Sequence, residues 1–154
     1  MSFFLIPKTK SDWFIFVIRL IIAAFFIYAS IDKIINPEAF AKSIHNYRMT
    51  PPIFINLMAI FMPWLELVTG LALLIGWKYK GANLLILGML AIFIVALASA
   101  WSRGLNINCG CFSTASTAKS DLLARLIEDA IMAVGCLIIM FENKLFRKNS
   151  KSLA

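Results

Sequence analysis

The chain has 154 residues, of which 61% are hydrophobic and 15% charged, with a net charge of +7. An ordinary soluble domain is roughly 45–50% apolar and about 25% charged, so this composition excludes a soluble enzyme. A basic excess would point to nucleic acid in a soluble protein. Here Lys and Arg gather at the ends of apolar runs, where they meet anionic lipid headgroups and fix topology.

Residues 1–12 form a tail carrying Lys8 and Lys10. The apolar run 13–31 contains Arg19, is too long for the core of a signal peptide and offers no small-x-small cleavage site, so it reads as an uncleaved anchor. The run 53–75 is interrupted by Pro63 and carries Glu66, and the run 82–100 has no charge. The run 122–141 opens on Arg125, Glu128 and Asp129, so that end faces protein or water rather than lipid. Each run has about 20 residues, enough to cross a hydrocarbon layer ~30 Å thick. The expected fold is therefore all-α, an integral membrane four-helix bundle over 13–141 with a basic tail at 142–154.

Between the first two runs, Asn36 is placed to cap a short helix, with Pro37 at its first position and Glu38 in its first turn. Phe40, Ile44 and Tyr47 then share one face, Lys42, His45 and Arg48 point elsewhere, and Thr50-Pro51-Pro52 ends the helix. Such a helix lies flat on the bundle mouth or the headgroup layer.

Orientation follows from basic residues in segments that share a side. The two tails and the 76–81 loop hold eight (Lys8, Lys10, Lys78, Lys80, Lys144, Arg147, Lys148, Lys151). The longer loops 32–52 and 101–121 hold five (Lys33, Lys42, Arg48, Arg103, Lys119) over a greater length. Both termini are expected in the cytoplasm of a bacterium, with the span embedded in the inner membrane. The longer loops then face the oxidising periplasm, where a disulfide persists.

The residues with most chemistry are Cys109 and Cys111, separated by Gly110. Cysteines at i and i+2 can close a small, strained disulfide, and Gly110 relieves part of the strain. Strained, exposed disulfides are exchange-active rather than structural. A closed zinc site needs about four ligands, and this face offers two thiols and His45, so no metal is expected. Cys136 lies inside an apolar run and reads as a small buried hydrophobe.

Intramembrane charges need partners. Counting from the inner ends of their runs puts Arg19 roughly 9 Å deep and Glu66 roughly 13 Å deep, which predicts an Arg19–Glu66 ion pair that fixes helix register. At the outer end, Lys33 closes the first run while Arg125, Glu128 and Asp129 open the fourth. Lys33 or Arg125 beside a cysteine would lower its thiol pKa, and Glu128 and Asp129 would hold these cations or handle protons.

With these residues in view the chain resembles the MauE/DoxX family of redox-associated four-span membrane proteins, and its MauE branch in particular. The resemblance runs from Arg19 to Asp129. It rests on Lys33-Ile-Ile-Asn-Pro-Glu-Ala-Phe40 followed by Ile44 and Tyr47, on Pro63-Trp-Leu-Glu66 with Gly70, on Cys109-Gly-Cys-Phe112, and on Arg125 with Glu128-Asp129. Ser113 departs from the Gly with which the family usually continues its Cys-Gly-Cys-Phe run. The resemblance implies an assembly factor for a methylamine dehydrogenase, working beside a thioredoxin-like protein on a disulfide-rich client. Two rivals remain: an accessory subunit of a larger respiratory or secretory membrane complex, and a quinone or other small molecule held between Phe-rich helices near Trp64. No cofactor is required by the first reading.

Overall fold

The computed structural model describes residues 10–104 and 122–150. The described residues form five helices: α1 (Lys10–Ile35), α2 (Pro37–Asn46), α3 (Pro52–Ile75), α4 (Tyr79–Ser102) and α5 (Leu122–Ser150). Three stretches are long and apolar enough to cross a membrane, Trp13–Ile35, Pro52–Ile75 and Tyr79–Ser102. The expected fourth, in α5, is not among them. Its first two turns carry Arg125, Glu128 and Asp129, too many charges for a stretch chosen on apolarity.

The helices run past the apolar stretches that predict them. α1 continues beyond residue 31 through Asp32 and Lys33, because Lys33 is held inside the protein rather than in a loop. Pro63 does not interrupt α3: it is buried within an unbroken helix, as happens where neighbouring helices shield the backbone that proline leaves unbonded. Each long helix touches two other long helices, α1 on α3, α3 on α4, α4 on α5 and α5 on α1, and α2 lies against α3 and α1.

All four long helices build the main core. Ile15, Ile22, Ala23 and Phe26 of α1 meet Leu73 of α3, Ile86, Met89 and Leu90 of α4, and Cys136 and Ile139 of α5. Small residues set the closest approaches. A methyl group on Gly70 would stand 3.0 Å from Ile27 Cγ1 and 3.4 Å from the Ala23 carbonyl oxygen, so α1 and α3 come this close at Gly70 because it has no side chain. Within the core, Asn83 Nδ2 donates to the Cys136 carbonyl at 2.8 Å, tying α4 to α5.

α2 forms where its sequence predicts. Pro37 begins it, and Phe40, Ile44 and Tyr47 are buried while Lys42, His45 and Arg48 are exposed. Phe40 and Ile44 pack on Ile55 and Ala59 of α3, and Tyr47 packs on Leu97 and Ala100 of α4. One detail differs. Asn36 takes the capping position without a side-chain cap bond, because it is the single residue between two helices and its N–H still donates to the Asp32 carbonyl of α1.

Candidate functional site

Among the four long helices, at the end where α5 begins, lies a cavity of about 40 Å³. Its walls are Phe25, Phe26 and Ala29 of α1, Leu90 and Phe93 of α4, and Met132 of α5, with five ionisable groups: Lys33, Glu66, Arg125, Glu128 and Asp129. Two cations face three carboxylates. The cavity's surface is almost wholly apolar, formed by rings and side-chain stems rather than by the charged groups, and an apolar cavity stays dry.

Lys33 Nζ donates to both carboxylate oxygens of Glu66, at 2.7 and 2.8 Å, and each side chain is 3% exposed. The ammonium also lies 5.1 Å from the Phe40 ring centroid and 5.2 Å from that of Phe93, so its remaining surface meets negative ring faces. Taking both ions out of water costs several kcal/mol each, which only good geometry offsets. The pair joins α1 to α3, and Phe40 brings α2 onto the same charge.

This pairing corrects the expected Arg19–Glu66 bridge. Arg19 is buried at the other end of α1, its Nη2 3.5 Å from where a Gly76 side chain would begin. Its guanidinium lies 5.4 Å from the Phe16 ring centroid and 5.7 Å from that of Tyr79. The reason is register. Gly70 packs against Ala23 and Ile27, which sets Arg19 level with the end of α3 and Glu66, one turn back from Gly70, near residue 30 of α1. Helical side chains lean toward their own N-terminus. In this antiparallel pair, Arg19 and Glu66 lean apart while Lys33 and Glu66 lean together.

On α5, Arg125 Nη1 donates to Glu128 Oε2 at 2.8 Å, a half-exposed pair one turn apart. Asp129 is buried beside it. Lys33, Arg125, Glu128 and Asp129, four of the residues singled out by sequence, thus border one cavity with Glu66. Phe93 was missed: nothing in an uncharged apolar run distinguishes it from lipid-facing Phe. Cys109 and Cys111 lie outside the described residues. Cys136 is a fully buried free cysteine on α5, below the cavity.

Trp64 is 55% exposed on α3 and is not among the residues that line this cavity.

Three apolar helices long enough to cross a membrane define a multi-pass membrane protein. Its sequence places it more narrowly: the family model of the methylamine utilisation protein MauE matches residues 11–142, and the chain belongs to that family. It is 28% identical over 96 residues to the methylamine utilization protein MauE of Paracoccus denitrificans, covering 62% of this chain and 52% of that protein. The protein of the same name from Methylorubrum extorquens is 31% identical over the same shares, and that of Paracoccus versutus 27% identical over 80% of this chain and 68% of its own. The chain thus spans about half the length of the first two relatives. No solved structure matches.

Proposed function

We propose that this protein supports the maturation of an exported redox protein in methylamine utilisation, by thiol–disulfide exchange through Cys109 and Cys111. In this reading α5 is the fourth span of a four-helix bundle in the inner membrane. Both termini are cytoplasmic, and α2 and the Cys109–Cys111 loop face the periplasm.

The observation that carries the reading is that the cysteine loop is tethered at the charged end of the protein. Residues 105–121 leave the end of α4 and enter the start of α5, whose first turns bear Arg125, Glu128 and Asp129 on the cavity. In the oxidised pair the strained bond favours giving up its disulfide. One client thiolate attacks a sulfur of the pair, breaking the Cys109–Cys111 bond and forming a mixed disulfide. The second client thiolate then attacks that bond and leaves with a client disulfide. Two electrons and the two client protons end on Cys109 and Cys111, and a thioredoxin-like partner in its disulfide form reoxidises them. Arg125 favours the thiolate as leaving group, and Glu128 and Asp129 pass the protons. Lys33 shares its charge with Glu66 and so holds the cavity's shape.

The test is trapping. In membranes of cells carrying Cys109→Ser or Cys111→Ser, one variant accumulates a client or thioredoxin-like protein in a band that reductant releases. No such band from either variant contradicts exchange.

A further inference from the structure

We infer that Arg48 and Arg103 form a binding site for the phosphate of an anionic phospholipid, where the turn after α2 packs on the last turns of α4. Arg103 is exposed, yet its guanidinium is held: Nη2 donates to the Tyr47 carbonyl at 2.6 Å and Nε to the Ser99 carbonyl at 3.1 Å. Two of its nitrogens are thus fixed, and no described bond uses Nη1; a guanidinium held as a rigid fork suits phosphate oxygens. Because Arg103 bonds the carbonyl of Tyr47, it lies beside the next residue, Arg48, which is also exposed. Arg48 is held at φ 51°, a left-handed conformation that a residue without glycine's freedom rarely takes. Tyr47 fixes it there by being buried against Leu97 and Ala100. Among the described residues, neither arginine is paired with a carboxylate.

Depth and surroundings select a lipid over an acidic protein. Arg103 follows the last residue of the Tyr79–Ser102 stretch and Arg48 precedes the first of Pro52–Ile75 by four positions, so both fall at headgroup level. Met49, Ile53, Phe54 and Trp101 are exposed beside them, an apolar wall for acyl chains with an interfacial tryptophan. A zwitterionic lipid brings its own cation to the phosphate; an anionic one leaves the phosphate to the arginines.

The test uses the full-length protein in detergent with equal phosphatidylglycerol and phosphatidylcholine, and counts retained lipid by native mass spectrometry. The wild type retains phosphatidylglycerol over phosphatidylcholine. Arg48→Gln, which removes no described bond, lowers that preference about fivefold, and so does Arg103→Gln, whereas Lys78→Gln, a single headgroup-level charge at the opposite end, lowers it less than either arginine variant. Equal retention of the two lipids, or a preference that survives both arginine variants, overturns the proposal. So does thermal stabilisation by inorganic phosphate or by polyglutamate without any preference for phosphatidylglycerol, which would assign the site to a free anion or an acidic protein.

Discussion

Lys33 and Arg19 lie on the same helix, and each is buried, but the surroundings answer the two charges differently. Lys33 is met by a full carboxylate on the neighbouring helix, next to a cavity with three further ionisable groups. Arg19 is met by two aromatic faces and by the end of α3, where a helix presents its negative pole and unbonded carbonyls. One end of the protein buries a full ion pair beside an apolar cavity; the other sets a guanidinium against two rings at a tight turn. The first arrangement is costly, since both ions leave water. The second is a joint between α1 and the α3–α4 turn.

The contrast predicts unequal costs. Glu66→Gln leaves the Lys33 ammonium buried without its counter-charge and should destabilise the protein by about 3–5 kcal/mol in thermal unfolding in micelles. Adding Lys33→Met to Glu66→Met should recover most of that loss, because a well-packed apolar pair needs no compensation. Gly70→Val, which forces α1 from α3 next to the pair, should cost about 1–3 kcal/mol. Arg19→Met should cost about 1–2 kcal/mol, since it removes ring and helix-end attractions and strands no carboxylate on α3. If Arg19→Met proved as damaging as Glu66→Gln, the contrast would collapse. Asn83→Leu, which loses the bond to the Cys136 carbonyl between the two ends, should cost about 0.6 kcal/mol. Arg125→Met should leave stability within about 0.5 kcal/mol while raising the thiol pKa of the Cys109–Cys111 pair; an unchanged pKa would remove Arg125 from the chemistry.

Much of this was legible from residues alone. Proline at its start and the Phe40–Ile44–Tyr47 spacing delimit α2, and length with apolarity delimits three helices. The clustering of Lys33 with Arg125, Glu128 and Asp129 also follows, since charges at neighbouring helix ends have few other places to go. The partner of Glu66 did not follow, because depth counted from the ends of apolar runs assumes that those ends are level. Here α1 projects beyond the end of α3, and side-chain lean turns Glu66 toward Lys33. Pro63 and Phe93 needed the packed neighbours, which one helix's sequence does not encode.

The proposed exchange at Cys109 and Cys111 is decided by replacing both with Ser and measuring disulfide formation in the exported client, with membrane insertion verified in the same cells. Exchange predicts a properly inserted protein and an unmatured, reduced client. Full maturation by the double variant would contradict it.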